Sequence, residues 1–480
     1  MQLDIDLPPT GSRQRMASLH QQLRTAILDG RLAAGTRLPT TRELAHTLAV
    51  SRNTAVSVYE RLMSEGYIES RQRQGCFVGS LVPGRSSSAA PAARGPERVS
   101  LPDAWRAIPP WSEEPLLPSP RHDFRVGLPD HSQLPWDTWR RLANRAQREF
   151  ARSPKAYTDP RGDPALREAI AGHVSATRAV ACTADDVIVT SGARHALALL
   201  ADALVTPGRT VVAVEDPGYS AARLSMSLRG ALVQPVALDS EGLRVDRLPP
   251  RAGVICVTPS HQFPVGMAMS LNRRAQLLDH ARRHRAVVIE DDYDAEFRYG
   301  ARPLDALHSL DDRGVVFYVG TFSKVLFPAL RVGFIVAPAW ARDRLRGLLH
   351  ATHGAPPLLT QLTLASFIRE GHLARHVRRM TRIYGRRRAL LLEGMARHAA
   401  GLLQPIDSTA GLHVSALLPK SIDARRIVEA AAREGLAAQA LSAGKGRAPC
   451  NGIAFGLGLA RDDRIEAGMR LLGSLLRSQA

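Results

Sequence analysis

The stretch VVFYVGTFSKVLFPALRVGFIV, residues 315–336, decides the fold class of the larger part of this chain. Its first six residues are mostly apolar, which is typical of a buried strand, and a second strand pattern closes it at residues 332–336. Lys324 lies in the small polar turn between the two strands. Ligands of open α/β sheets bind at the carboxyl ends of the strands, so this lysine indicates a binding site. The simpler alternative is a loop lysine that extends into solvent.

Groups that suit a phosphate surround this lysine and a second strand end. Residues 187–190 form an apolar strand pattern, followed by a glycine turn and a helix whose first amides can bind an anion. That glycine motif is weak by itself, but two hydroxyls and a guanidinium near the lysine supply further donors. The predicted phosphate ligands are Ser191, Gly192, Ala193, Thr321, Ser323 and Arg331.

A third strand pattern, residues 286–290, runs into the acidic segment EDDYD at 290–294. We predict that Asp291 pairs with a protonated ring nitrogen and that Tyr293 donates to a ring oxygen of the same ligand. A metal-binding acidic cluster is the alternative, but no histidine lies at a useful ligand spacing.

Other strand ends carry aromatic and polar residues that suit a flat ligand. Tyr219 follows a strand and is predicted to stack on the ring, while His261 and Gln262 end another strand and are predicted near the ring oxygen. A single histidine such as His261 is more often part of a core or loop than a ligand. Tyr157 precedes a helix and is predicted to reach a phosphate, in a neighbouring subunit.

Together these parts are the ones that pyridoxal 5′-phosphate (PLP) requires. A lysine forms a Schiff base with its aldehyde, an anion keeps its pyridine nitrogen protonated, donors hold its phosphate, and a flat group covers its ring. The sequence therefore predicts a PLP site around Lys324.

The first 80 residues predict a separate module. Met16, Leu19, Leu23 and Ile27 recur at helical spacing, Thr40 caps a short second helix, and a third helix covers about Arg52–Ser64. A hairpin with the basic tip Arg71-Gln72-Arg73-Gln74 follows, so the pattern is that of a winged helix-turn-helix. The start of its third helix can enter a major groove, where arginine reads guanine and asparagine reads adenine. A helical protein-interaction module with an incidentally basic surface is the alternative.

Composition limits the remaining choices. The 480-residue chain carries a net charge of +19, but its head has only a small excess of arginine, so the motif and not the charge argues for DNA. The arginine-rich run at 375–388 is interpreted as a solvated helix face. Four scattered cysteines, no secretory signal and no long apolar span predict a cytoplasmic location. We predict a DNA-binding domain at 1–80, a flexible linker at 81–121 and an α/β domain at 122–480, with a small subdomain from about 376.

The segment at 38–79, LPTTRELAHTLAVSRNTAVSVYERLMSEGYIESRQRQGCFVG, strongly resembles the GntR family of bacterial regulators. The strand ends described above resemble, in the same order, fold-type I aminotransferase-like PLP enzymes. The combination closely resembles the MocR family, and covers nearly the whole chain outside the linker. The expected fold class is thus an α+β winged helix-turn-helix followed by an α/β fold-type I PLP-dependent aminotransferase-like domain.

The resemblance implies roles for individual residues and a mode of assembly. It makes Lys324 the Schiff-base lysine and implies a head-to-tail, domain-swapped homodimer on operator half-sites, with Tyr157 arriving from the partner subunit. The DNA contacts that the pattern and the resemblance predict are Arg42, Ser51, Arg52, Asn53, Thr54 and Gly75.

Two departures from aminotransferases bear on function. His261 and Gln262 stand where aminotransferases have an asparagine loop, and no arginine lies on the strand at 452–457 where a substrate carboxylate binds. Lys445 and Arg447 are the nearby substitutes. We therefore expect a PLP-responsive transcription regulator of vitamin B6 or of amine and amino-acid metabolism. The alternatives are an active aminotransferase with a fused DNA-binding head, and a regulator that has lost PLP.

Overall fold

The computed structural model describes residues 5–9, 14–79, 105, 108, 120–153, 158–300, 305–352, 354–441 and 450–479. The chain divides into two compact units, Met1–Ser100 and Leu101–Ala480. Nearly all of the predicted linker, together with Tyr157, Lys445 and Arg447, lies outside the described residues. Within the described part, no helix is both long and apolar enough to span a bilayer.

The N-terminal unit is a three-helix module with a two-stranded wing. Its elements are α1 (Arg15–Leu28), α2 (Thr41–Thr47), α3 (Arg52–Ser64), β1 (Ile68–Arg71) and β2 (Gly75–Val78). Helix α2 begins with a capping box in which the Thr40 side chain and Glu43 satisfy each other's backbone amides. Leu23, Ala55 and Leu62 pack in its core with at most 1% exposure. The predicted winged helix-turn-helix is confirmed.

The C-terminal unit is built on an eight-stranded sheet. Its strands are β4 (Val187–Thr190), β5 (Val211–Asp216), β6 (Leu232–Asp239), β7 (Gly242–Leu243), β8 (Ala252–Val257), β9 (Val287–Asp292), β10 (Val316–Thr321) and β11 (Gly333–Val336). The order is β4-β11-β10-β9-β8-β5-β6-β7, and the central run β10-β9-β8-β5-β6 is parallel. Parallel strands buried on both faces need continuous apolar runs, which these sequences supply.

Helices cover both faces of this sheet. They are α4 (Trp136–Arg152), α5 (Pro164–Arg178), α6 (Ala193–Leu204), α7 (Ser220–Leu228), α8 (Leu271–His284), α9 (Arg342–Thr352) and α10 (Leu358–Arg369). Short 3-10 turns lie at His131–Gln133, Val245–Arg247, Leu307–Leu310, Pro328–Leu330 and Ala339–Ala341. One face packs against α6 through Leu197 and Leu200, and the other packs against α8 through Leu277 and Ala281.

A smaller sheet follows the long helix α11 (His372–His398). It contains β12 (Gln404–Pro405), β13 (His413–Leu417), β15 (Gln439–Ala440) and β16 (Gly452–Gly456), in the order β12-β13-β16-β15, with helices α12 (Ala424–Arg433) and α13 (Asp462–Arg477) beside it. Strand β3 (His122–Asp123), near the start of the unit, pairs with β14 (Leu436–Ala437). Residues 122–123 are therefore attached to the small subdomain.

Candidate functional site: a lysine and a carboxylate at neighbouring strand ends

Lys324 and Asp291 lie at the carboxyl ends of two adjacent parallel strands. Strand β10 ends at Thr321, three residues before the lysine, and Asp291 is paired in register with Val319. The lysine amine is partly buried and donates a 2.7 Å hydrogen bond to the carbonyl oxygen of Gly127. Burial lowers the pKa of Lys324, while the carboxylates of Asp294 and Asp291 oppose that shift.

Asp291 is a buried carboxyl group with an unused acceptor. Its Oδ1 atom has no hydrogen-bond partner among the described residues, although the side chain is only 7% exposed. It lines a small cavity together with Tyr219, Thr258 and Cys256. Burial and the neighbouring Asp292 raise the pKa of Asp291 to about 7, and Lys324 opposes them. A cationic N–H entering this cavity would both neutralise the carboxylate and satisfy its free oxygen.

The amino end of α6 and Arg331 form a corner. Gly192 has φ +93°, and a Cβ atom placed on it would lie 3.6 Å from the Arg331 guanidinium. Arg331 itself is exposed and adopts a left-handed backbone with φ 51°. The amide of Ser191 donates to His195 Nδ1 at 2.9 Å, so that amide is already partnered. The helix dipole and the guanidinium together favour a phosphate at this corner.

The loop between Thr321 and Lys324 belongs to the same corner. The Ser323 amide donates to the Thr321 hydroxyl at 3.2 Å, which holds the turn that presents the lysine. Both hydroxyl-bearing residues thus belong to the turn that leads to Lys324.

A buried cluster holds Tyr293 and joins the large sheet to the small subdomain. The Tyr293 hydroxyl lies 3.0 Å from His261 Nδ1, which also lies 3.0 Å from both carboxylate oxygens of Asp294. Asp294 in turn accepts a 2.8 Å hydrogen bond from the amide of Leu412, next to β13. The His413 ring packs 4.4 Å from the His261 ring. One imidazole nitrogen each of His261 and His413 and one carboxylate oxygen of Asp294, the atoms that could coordinate a metal ion, lie within 4.8 Å of one another.

The wing and third helix of the N-terminal unit present an exposed polar surface. Arg42, Arg52 and Asn53 are exposed, and neither arginine has an ion pair among the described residues. Ser51 caps α3, because its hydroxyl accepts a 3.0 Å hydrogen bond from the Thr54 amide and lies 2.8 Å from the Thr54 hydroxyl. At the start of α3, Ser51 and Thr54 therefore form a capping pair, while the side chains of Arg52 and Asn53 have no hydrogen-bond or ion-pair partner among the described residues.

Comparison with known proteins accounts for both units. Residues 16–78 match the family "Bacterial regulatory proteins, gntR family", and residues 123–445 match "Aminotransferase class I and II". The chain is 37% identical over 428 residues to the probable rhizopine catabolism regulatory protein MocR of Rhizobium meliloti, covering 87% of this chain and 84% of that protein. The chain belongs to the MocR family of GntR-type transcriptional regulators.

Other relatives of this MocR-family chain agree. The pyridoxine biosynthesis transcriptional regulator PdxR of Corynebacterium glutamicum is 33% identical and is matched over 96% of both chains. Among solved structures, the kynurenine aminotransferase of Pyrococcus horikoshii superposes with a TM-score of 0.68 at 25% identity, covering 74% of this chain and 90% of that one. The predicted family and fold class are confirmed, and the aminotransferase domain implies PLP as cofactor.

The structure brings together most of the residues predicted for the cofactor site. Tyr219 lines the cavity beside Asp291, and its ring packs edge-on against Phe263. Gln262 is engaged elsewhere, because its amide donates to the carbonyl oxygens of Pro217 and Phe263 at 2.9 and 2.7 Å. The structure thus gives Gln262 a loop-holding contact, and its role toward a ligand stays a prediction.

Sequence reasoning missed three members of the site. Gly127, Asp294 and His413 contact the lysine or the Tyr293 cluster, but only Asp294 had a local signal, in the acidic run after β9. A Cβ atom on Gly127 would lie 2.8 Å from Lys324 Nζ, and its φ is +78°. The positive φ therefore favours glycine at this position, and an added Cβ atom would displace the end of the Lys324 side chain.

Proposed function

We propose that this MocR-family chain is a DNA-binding transcription regulator that responds to PLP, acting as a cytoplasmic homodimer on operator half-sites. The observation that carries the proposal is the pair formed by Lys324 and the unsatisfied carboxylate of Asp291, at neighbouring strand ends of a chain that also has a winged helix-turn-helix. The carboxylate matches the pyridine nitrogen, and the α6 corner matches the phosphate. The residues present fit PLP.

The chain's own residues have distinct parts in holding such a ligand. Bound PLP supplies an aldehyde that condenses with amines. The lowered pKa of Lys324 keeps more of its amine uncharged and nucleophilic. Asp291 holds a proton at the ring nitrogen, while Gly192 and Arg331 hold the phosphate.

Tyr293 is oriented by its neighbours. When His261 directs an Nδ1–H toward Asp294, the Tyr293 oxygen shares that donor, and its own hydrogen is free to donate to the ring oxygen. Asp294 sets the tautomer of the His261 ring. Through that ring, the carboxylate next to Tyr293 in sequence determines where the Tyr293 hydroxyl hydrogen points.

The names of the relatives suggest the regulated genes. One relative is named for pyridoxine biosynthesis and another for rhizopine catabolism. We infer that this chain controls vitamin B6 synthesis or salvage, or else the catabolism of an amine. In the first case PLP is the signal itself, and in the second it is the group through which an amine is sensed.

An active aminotransferase with a DNA-binding head is the second candidate, favoured by the likeness to solved aminotransferases. The strand β16, Gly452–Gly456, contains no arginine for a substrate carboxylate. We therefore expect no sustained turnover of amino acids with keto acids, and multiple turnovers at enzyme-like rates would favour this candidate instead.

The decisive experiment measures cofactor and DNA binding in the same preparations. Wild type is expected to show PLP absorbance in the visible range, and Lys324→Ala is expected to lose it while keeping the fold. DNA affinity for the promoters of adjacent genes is then titrated with and without PLP. An affinity or DNA bend that PLP changes in wild type, but not in Lys324→Ala, supports the proposal. Protein that stays colourless with added PLP, or DNA binding that ignores PLP, contradicts it.

A further inference from the structure

A row of arginines lies at the amino edge of the large sheet, opposite the edge that carries Lys324. Arg209, Arg251, Arg285 and Arg313 each lie in the loop that enters one of four adjacent strands, namely β5, β8, β9 and β10. The strands are parallel, so their starts share one edge. The register places Val316 beside Val288, Val287 beside Val254 and Ala252 beside Val211, which keeps the four loops level.

These four arginines are exposed and uncompensated. None of them forms an ion pair with any carboxylate of the described residues. The nearby acids are occupied: Asp312 pairs with Arg282, and Asp311 accepts hydrogen bonds from the amides of Val315 and Val316. The edge thus carries four cations of one sign on four adjacent strand starts, without ion-pair partners among the described residues.

The edge also has a groove. Arg285 and Arg313 line it together with Arg282 and the indole of Trp340, which is 58% exposed. Trp340 donates a 2.9 Å hydrogen bond to the Gly314 carbonyl, so the ring is fixed at the groove wall. The backbone of Arg285 is left-handed, with φ 53°, and caps α8, so this side chain starts from a fixed point.

The spacing of the row suits a nucleic-acid backbone. Neighbouring strands lie about 4.8 Å apart, so four strand starts span roughly 14 Å. One strand of duplex DNA places a phosphate about every 3.4 Å of helix axis, which gives about four phosphates over that length. Arginine is well suited to phosphate, because its planar group donates in pairs.

We propose that this edge, Arg209, Arg251, Arg285 and Arg313, is a second DNA-binding surface that contacts the phosphate backbone without reading sequence. It acts on DNA beyond the segment held by the winged helix-turn-helix. The inference rests on the proposed DNA-binding function, but not on PLP.

The test uses the full-length protein and duplex DNA of arbitrary sequence, in a short form of about one and a half helical turns (~15 base pairs) and a long form of about six turns (~60 base pairs). The variant is Arg251→Gln, Arg285→Gln and Arg313→Gln combined. The matched control is Arg378→Gln, Arg379→Gln and Arg382→Gln combined, which removes three exposed arginines from α11 that also have no ion pair among the described residues. Affinity is measured by fluorescence anisotropy between ~50 and 200 mM salt.

Each lost phosphate contact lowers the magnitude of the slope of log affinity against log salt by about 0.9. The edge variant is therefore expected to lower that magnitude by about 2.7 for each protomer whose edge contacts the long DNA. The short duplex and the control variant are expected to keep the wild-type slope. An edge variant in which the three arginines become lysine is expected to retain most of the wild-type slope. This variant distinguishes loss of positive charge from a folding defect.

Equal loss in the edge and control variants would overturn the proposal, because net charge would then account for the effect. An unchanged slope in the edge variant would also overturn it, and would leave the row for an acidic protein partner. Loss of all binding to long DNA in an Arg52→Ala variant, with the edge intact, would also overturn it, whereas weaker operator binding with the salt dependence on long DNA retained would support two separate surfaces.

Discussion

Replacing Asp291 with asparagine should weaken PLP binding and raise the free energy of unfolding of the cofactor-free protein. The carboxyl group is buried beside Asp292, which raises its pKa to about 7 from an ordinary value of 3.8. A group whose pKa is raised in the folded state contributes stability below its unfolded pKa, and that contribution is lost as pH rises through the folded value. For Asp291 the loss falls between about pH 4 and pH 7.

The magnitude follows from the shift. The shift is about three pKa units, and each unit corresponds to about 1.4 kcal/mol. Ionisation of Asp291 at pH 8 therefore destabilises the folded state by at most roughly 4 kcal/mol. Relaxation and water entry reduce this, so we expect Asp291→Asn to stabilise the cofactor-free protein by about 2 to 4 kcal/mol at pH 8 and by little near pH 4. The same variant loses the anion that a protonated ring nitrogen needs.

The assay is chemical denaturation of cofactor-free protein at several pH values, alongside PLP titration by visible absorbance. Asp407→Asn is the matched control, because Asp407 is an exposed carboxylate with no ion pair among the described residues. A variant that is less stable than wild type at pH 8, or that binds PLP as tightly, would show that the carboxylate of Asp291 is satisfied in the protein and does not await a cation.

Three further predictions test other parts of the molecule. Arg52→Ala should weaken operator binding about 10- to 100-fold in a gel-shift titration, while Arg61→Ala, at the far end of α3 and paired with Glu65, should not; equal effects would contradict the assignment of the recognition helix. Gly127→Ala should destabilise the cofactor-free protein by about 1 kcal/mol in chemical denaturation but leave DNA affinity measured without PLP unchanged, because φ +78° disfavours alanine and its Cβ atom would lie 2.8 Å from Lys324 Nζ; wild-type stability would show that this loop yields easily. Burial lowers the pKa of His413 to about 3, so stability should be lost as pH falls from 6.5 toward 3, by about 2 kcal/mol at pH 5, and His413→Gln should remove that portion in pH-dependent denaturation; an unaltered pH profile would count against a buried neutral histidine.

Local sequence patterns predicted the strand ends that carry Lys324 and Asp291 and the start of α2. Lys324 and Asp291 follow apolar strand runs, and parallel strands bring such ends to one edge, so their proximity could be expected from order alone. The capping residue Thr40 likewise predicted α2, and the third helix has the predicted bounds. The structure adds that Ser51, predicted as a DNA contact, caps α3. In each case a few neighbouring residues determine the outcome.

Contacts between distant segments could not be predicted in this way. Gly127 meets a lysine 197 residues later, and Leu412 meets Asp294 from another subdomain. Nothing near either residue signals its partner, because the meeting depends on how whole layers pack. Tyr293 was predicted to serve a ring oxygen, and its contact with His261 emerges only when the loops after β8 and β9 are folded together.

The hydrogen bond from Lys324 to Gly127 has a mechanical consequence. Gly127 belongs to the stretch 120–153, which is also tied to β14 through β3. Any molecule that takes the amine for itself must first release this carbonyl. Because residues 122–123 of the same stretch pair with β14, a change at this one nitrogen atom acts on a segment that also holds the small subdomain.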